Sequence, residues 1–150
     1  GMSADAGDLL APDAGGMLRA INGALTDGGL AASDVQYVNA HGTGTAANDE
    51  TETEALKRVF GAHAGKLVMS ANKSMIGHAL GAAGALEMVA TLMTVKDGVV
   101  PPTINYLGPD PACDIDCVPN EARRMKVDAA LSNSFAFGGL NAVLAVKRFG

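Results

Sequence analysis

The sequence predicts an α/β fold with a mixed sheet that ends in a β-hairpin. Segments with apolar residues at helical spacing alternate with short apolar runs that are typical of buried strands. Near the end of the chain, two strand-like runs are separated by Phe137-Gly138-Gly139, which indicates a turn between them. Before this hairpin lies a long apolar segment rich in glycine and alanine, which predicts a buried helix.

The first half of the chain is expected to form two helix-and-strand pairs. A helix over residues 12–26 begins at a proline, which fits a first helical turn, and a buried strand over 35–40 follows it. Asn48 can cap a second helix, which has acidic residues at its positive end and is closed by Gly61. Residues 67–70 form the next short strand.

The third helix is expected over residues 76–96 and should be surrounded by protein, because it is apolar on all sides. Its first half carries Gly77, Gly81 and Gly84, although glycine destabilises a helix interior by about 1 kcal/mol relative to alanine. Such a surface lets another backbone approach closely. An irregular, proline-rich stretch then leads to strands over 127–133 and 142–149.

Composition limits the classes of function. The 150 residues suit one domain, and a net charge of -5 with no basic cluster beyond residues 123–126 gives little support for nucleic-acid binding. The apolar run 79–95 contains Glu87 and is short for a membrane span. Two cysteines make no disulfide framework, which favours a reduced, cytoplasmic setting. Residues 1–3 are interpreted as a tag remnant before a domain over 4–150.

The first motif is His41-Gly42-Thr43-Gly44-Thr45, which follows the first predicted strand. Strand ends of this kind carry the chemistry of α/β folds, and Thr43 and Thr45 offer hydroxyls to a polar ligand. A capped turn with an incidental histidine is the structural alternative. A dinucleotide-binding turn also fits the glycine spacing, but no acidic residue closes the second strand to hold a ribose, so this alternative is disfavoured.

The second motif places Asn72-Lys73-Ser74 before Gly77-His78, again between a strand and a helix. His78 is expected in the first helical turn, where the helix dipole disfavours an imidazolium. A buried Lys73 needs an acidic partner, for which Glu52 and Glu54 are candidates. Two neutral histidines suit stabilisation of a carbonyl oxygen that becomes negative, and they suit a metal less well. A structural polar network is the alternative.

Other residues give weaker signals. The Phe137-Gly138-Gly139 turn can leave amide N–H groups accessible for an oxyanion hole, or it can simply be a hairpin turn. Cys113 and Cys117 lie among acidic residues, which makes them poor nucleophiles. His63 is expected to be an exposed loop residue.

Taken together, the three motifs closely resemble the C-terminal half of β-ketoacyl-[acyl-carrier-protein] synthases, the condensing enzymes of fatty-acid and polyketide synthesis. The segments 100–105 and 119–123 share the resemblance, and the two histidines match the chain-elongating type. The resemblance implies a thiolase-like fold built from two similar halves around a central helix layer. It also implies a cytoplasmic acyltransferase whose cysteine nucleophile belongs to an N-terminal half that is absent here.

The resemblance implies roles for particular residues. His41 and His78 hold the malonyl thioester carbonyl, and Lys73, plausibly with Glu52, holds the polar network. Phe137 completes an oxyanion hole and gates the acyl pocket. Thr43 and Thr45 bind the phosphopantetheine arm, and no other cofactor is implied. A structural cation is compatible with a further group of residues, namely Asn39, Glu87, Ser132 and Asn133.

The family usually has glycine and threonine where this chain has Ala136 and Leu140, so substrate preference at the gate is open. The expected partners are acyl carrier protein and the absent N-terminal half. The isolated chain should be inactive, and it should self-associate through an apolar face left bare near residues 77–85. The rival interpretation is a non-catalytic partner, similar to a chain-length factor, that acts by heterodimerisation. The presence of both histidines and Lys73 favours the active enzyme.

Overall fold

The computed structural model describes residues 1–149 and contains seven strands and four α-helices in that range. The strands are β1 (Met2–Ala4), β2 (Tyr37–Asn39), β3 (Val68–Ser70), β4 (Val99–Val100), β5 (Arg123–Arg124), β6 (Ala129–Ala136) and β7 (Leu140–Lys147). The helices are α1 (Ala14–Gly28), α2 (Ala46–Phe60), α3 (Lys73–Ile76) and α4 (Ala83–Asp97). The predicted α/β class is confirmed.

A mixed sheet in the order β1-β7-β6-β2-β3 forms the centre of the molecule. β2 pairs in parallel with both β3 and β6, whereas β6 and β7 form the predicted antiparallel hairpin. β4 and β5 make a separate two-stranded sheet. The parallel strands bring the ends of β2, β3 and β6 to one edge, where the site lies.

Helices cover both faces of this sheet. Alternate residues of each strand point to opposite faces, so one strand contributes side chains to a core on either side. Leu131 of β6 packs in a cluster with Met17 and Leu56, which belong to α1 and α2. Its neighbour Ala130 packs on the other side with Val95 of α4. Two hydrophobic cores therefore hold the sheet between a helix pair and α4.

β1 is a strand that the sequence did not predict. Met2–Ala4 pairs antiparallel with the start of β7, with Met2 opposite Ala142. Residues 2–4 form no apolar run, so this strand has no local sequence signature and exists through its pairing. The interpretation of residues 1–3 as a tag remnant stays a prediction.

The start of α2 was predicted wrongly. The helix begins at Ala46, and the N-cap is Thr45, whose side chain accepts a hydrogen bond from the Asn48 amide. The cap therefore lies three residues before the predicted one. As a result, the first motif runs directly into the helix without an intervening loop.

The single helix predicted over residues 76–96 is also wrong. After α3, the chain turns through Gly77 (φ 74°) and Leu80 (φ 49°), makes a short 3-10 turn at Leu80–Ala82, and only then enters α4. Positive φ values are incompatible with a right-handed helix, so the segment is divided. This division leaves His78 outside the helix.

Within this chain α4 is covered on only one side, and its exposed residues lie at and beyond the stretch 77–85 where a bare apolar face was expected. Its buried residues include Glu87, Thr91 and Thr94, whereas Leu86, Val89, Leu92 and Met93 are exposed. We call these four exposed residues the apolar face of α4. Among residues 1–149, no helix combines the length and apolarity that a membrane crossing requires.

Candidate active site

A cleft of about 750 Å³ opens at the edge of the sheet where β2 and β6 end. Five predicted site residues line it, namely His41, Thr43, Thr45, His78 and Phe137. Lys73 and Glu52 do not line the cleft but lie behind His41, where both are buried. The three motifs of the sequence thus meet at one place.

Lys73 determines which ring nitrogen of His41 carries the proton. Its Nζ lies 3.3 Å from Nδ1 of His41 and 2.5 Å from the carbonyl oxygen of the same residue. An ammonium group can only donate, so Nδ1 accepts and the neutral ring carries its proton on Nε2. Burial is the main cause that lowers the pKa of His41 to about 3, and the nearby Lys73 ammonium acts in the same direction. His41 is therefore neutral at physiological pH.

His78 is placed by a different contact. Its Nδ1 accepts the backbone N–H of Leu80 at 3.1 Å, so this ring also carries its proton on Nε2. The helix-dipole argument for a neutral His78 is wrong, because α4 begins five residues later at Ala83. The rings of His41 and His78 stand edge to face, with centroids 5.7 Å apart. The cleft thus holds two imidazoles that can donate from Nε2.

The acidic partner of Lys73 is Glu87, so the prediction of Glu52 or Glu54 is wrong. The ammonium forms a short salt bridge with Oε1 of Glu87, and both side chains are at least nine-tenths buried. Burial raises the pKa of Glu87, whereas Lys73 lowers it. The sequence does contain a local indication of this role, since Glu87 is the single acidic residue in the apolar segment 79–95.

Glu52 supports His41 through the backbone. Its carboxylate accepts the N–H groups of His41 (2.9 Å) and Gly42 (3.0 Å) and the side-chain amide of Asn133 (2.9 Å). Burial raises the pKa of Glu52, and these three donors oppose that change. The carboxylate ties the turn after β2 to β6.

The two threonines lie at the rim of the cleft. Their hydroxyls are 2.8 Å apart, and Thr45 also caps α2, while Thr43 is only partly buried. Each hydroxyl can still donate or accept one further hydrogen bond with a polar ligand.

Phe137 follows β6 and is 75% exposed, which places its ring at the mouth of the cleft. The next residue, Gly138, donates its N–H to the carbonyl of Leu9 at 2.9 Å. Leu9 and Leu10 also line the cleft, although no sequence pattern marked either of them as a site residue. Nothing in their loop distinguishes them from surface leucines, because their role depends on packing against a distant turn.

The four residues considered for a cation are all buried and offer oxygen atoms. Asn39 donates to Ser132 at 3.4 Å, whereas Oε2 of Glu87 and Oδ1 of Asn133 have no hydrogen-bond partner in the described chain. Two buried oxygens without donors fit a hard cation better than a transition metal. Across residues 1–149, no three His, Cys, Asp or Glu side chains are grouped as a metal site.

The two cysteines and the third histidine of the chain lie outside the cleft. Cys113 and Cys117 do not line the cleft, and burial raises the pKa of both thiols. His63 was predicted to be an exposed loop residue, but it is partly buried in a 3-10 turn with Nε2 2.8 Å from the Val35 carbonyl oxygen.

Comparison with known proteins agrees with this geometry. Residues 1–107 match the family model described as "Beta-ketoacyl synthase, C-terminal domain". Nodulation protein E of Rhizobium sp. (strain N33) is 57% identical over 148 residues, and 3-oxoacyl-[acyl-carrier-protein] synthase 2 of Coxiella burnetii (strain RSA 493 / Nine Mile phase I) is 51% identical over 150. These alignments cover 99% of this chain but only 37% and 36% of the relatives.

Solved structures show the same partial coverage. The ishigamide ketosynthase/chain length factor superposes with a TM-score of 0.96 at 43% identity, over 100% of this chain and 37% of that chain. A chain of AntDE:AntF, a type II PKS acyl-carrier protein in complex with its ketosynthase, gives a TM-score of 0.94 at 38% identity, over 100% of this chain and 38% of that chain. The chain therefore belongs to the β-ketoacyl synthase family and corresponds to the C-terminal domain of its members.

Proposed function

We propose that this chain supplies the histidine-bearing part of an elongating 3-oxoacyl-[acyl-carrier-protein] synthase. The observation that carries the proposal is the pair of imidazoles, His41 and His78, whose Nδ1 atoms are both engaged by other groups, which leaves both Nε2 atoms as donors at one cleft. Two such donors stabilise negative charge that develops on a carbonyl oxygen. The reaction class is acyl transfer in fatty-acid or polyketide synthesis.

In the proposed reaction, a cysteine outside this chain carries the acyl group as a thioester. The malonyl thioester loses CO₂, and the electrons of the broken C–C bond form an enolate whose oxygen accepts hydrogen bonds from His41 and His78. The enolate carbon then bonds to the acyl carbonyl, and the cysteine thiolate leaves. The phosphopantetheine arm of the substrate lies along Thr43 and Thr45, and Phe137 gates the acyl pocket.

The same proposal includes a hard structural cation held by the four buried residues Asn39, Glu87, Ser132 and Asn133. The two oxygens without donors support it, and elemental analysis of the purified protein checks it. We place the reaction in the cytoplasm, where a thiol nucleophile stays reduced.

Acyl carrier protein is the proposed substrate carrier, since one structural relative is a ketosynthase in complex with that protein. The second proposed partner is the ketosynthase half that this chain does not contain, because the chain spans little more than a third of its relatives. A chain-length-factor role is the alternative, since another relative is a ketosynthase/chain length factor.

Reconstitution tests this proposal. We expect the isolated chain to form no ketoacyl product from acyl and malonyl carrier proteins, and we expect activity when it is co-expressed with a cysteine-bearing upstream half of a relative. Product from the isolated chain would contradict the assignment of the nucleophile. A stable but inactive complex with the upstream half would favour the chain-length-factor alternative.

The apolar face of α4 is proposed as the surface that the other half covers, and as a self-association surface when that half is absent. We expect concentration-dependent dimers of the isolated chain in sedimentation velocity, because its four exposed apolar residues are contiguous on one helix. Val89→Glu should shift the chain to monomers. Leu107→Glu, at a fully exposed loop leucine, is the matched control and should not. A wild-type monomer at high concentration contradicts the proposal.

A further inference from the structure

α3 is too short to hold its own position. It comprises only Lys73–Ile76, and besides the contacts of Lys73 with His41 and Glu87 it is held by hydrogen bonds to a distant segment. The Ser74 hydroxyl donates to the carbonyl of Ala71 (2.8 Å) and accepts the N–H of Ile104 (3.0 Å). The N–H of Ala71 donates to Oγ1 of Thr103 at 3.0 Å. The turn that carries Lys73 is therefore fastened at both ends to residues 103–104.

Thr103 is itself anchored on its far side. Its N–H donates to the carbonyl of Val118 (3.0 Å), and its carbonyl accepts the N–H of Asn120 (2.9 Å). Pro101 and Pro102 precede it and restrict the backbone. A side chain on such a fixed segment can position a neighbour, because the segment itself does not yield.

Ala71 also has a close neighbour on the side of His41. Gly42 has φ 48°, and a Cβ placed on it would lie 2.5 Å from Cβ of Ala71. Ala71 is therefore confined between Gly42, which adjoins His41, and the hydroxyl of Thr103. Because Ala71 precedes Lys73 by two residues and adjoins Gly42, we expect a shift of Ala71 to change the distance between Lys73 and His41.

We propose that Thr103 is a positioning residue of the two-histidine site. Its hydroxyl, together with Ser74, holds the Lys73 turn at the distance from which Nζ donates to Nδ1 of His41 and keeps the His41 proton on Nε2. Thr103 does not line the cleft, so its effect reaches the site only through Ala71 and Lys73. The catalytic consequence rests on the proposed function, whereas the placement of Lys73 does not.

The test measures the ring nitrogens of His41 in the complete chain labelled with ¹⁵N-histidine. The chain has three histidines, which keeps the spectrum simple. We expect Thr103→Val to shift the Nδ1 resonance of His41 away from its hydrogen-bonded value and to populate the Nδ1–H tautomer. Exchange of the Ala71 amide should become about five-fold faster, the ratio for one lost hydrogen bond. Thr103→Ser keeps the hydroxyl and should restore both readouts.

The matched control is Thr51→Val, which removes a hydroxyl that bonds to Ala47 within α2, away from Lys73. A purely structural role for Thr103 would lower stability in Thr103→Val and leave the His41 resonances unchanged, and that result overturns the proposal. If Thr103→Val does not fold, Ser74→Ala decides by the same resonances. The readout needs no substrate, so it is independent of whether the proposed condensation is correct.

Discussion

Replacement of Lys73 by methionine should lower the free energy of unfolding by about 3–5 kcal/mol. Methionine keeps much of the apolar stem but removes the ammonium that donates to Glu87 and to the His41 carbonyl. The Glu87 carboxylate then stays buried without a counter-charge, which is among the costliest changes in a protein interior. Urea denaturation at pH 7 measures the loss.

Two further variants isolate the cause. Lys57→Met removes an exposed ion pair with Asp114, in which the Lys57 side chain is 46% exposed and the Asp114 side chain 51% exposed. We expect the free energy of unfolding to fall by less than about 1 kcal/mol. In the double variant Lys73→Met with Glu87→Gln, the buried charge is gone, so much of the stability should return. Equal losses of unfolding free energy in Lys73→Met and Lys57→Met would contradict the prediction that breaking the buried Lys73–Glu87 pair costs more than breaking an exposed pair.

Replacement of His78 by alanine in the reconstituted enzyme should reduce malonyl decarboxylation by about 10²–10³-fold, the usual cost of removing one oxyanion donor. Leu80 holds the ring of His78 as an Nε2–H donor beside the neutral His41, so its loss leaves the enolate oxygen with one imidazole. His41→Ala should have an effect of similar size. Release of labelled CO₂ from malonyl carrier protein measures the rate.

His63→Ala is the matched control, because it removes the third imidazole of the chain at a position outside the cleft. Its ring contacts the Val35 carbonyl, so the change affects stability and not the donor pair. We expect the decarboxylation rate of folded His63→Ala to stay within a few-fold of the wild type. A His78→Ala rate equally close to the wild type would remove His78 from the proposed mechanism.

Local patterns were sufficient to predict most of the sheet. β2 and β3 lie inside the predicted segments 35–40 and 67–70, because short apolar runs between turn residues are a local signal. The start of α4 was not predictable in the same way. Residues 79–83 are apolar and continue the helical pattern, and only the backbone angles at Gly77 and Leu80 reveal the break.

The partner of Lys73 illustrates the limit for the site. Glu52 was the natural candidate by position along the chain, but its carboxylate is occupied by the backbone N–H groups of His41 and Gly42. Glu87 reaches Lys73 because α4 packs across β6, which is a consequence of the whole fold. Sequence patterns thus identified the residue types of the site, and tertiary packing decided how they pair.

The apolar face of α4 has a consequence for biosynthesis. In family members this segment belongs to the C-terminal domain, so a ribosome makes it after the region that would cover it. Until the segment that carries α4 leaves the ribosome, the region made before it has no partner surface to pack against. Apolar surface that stays exposed in this way promotes aggregation. On the proposed function, the earlier region would depend on chaperones until this domain has been translated.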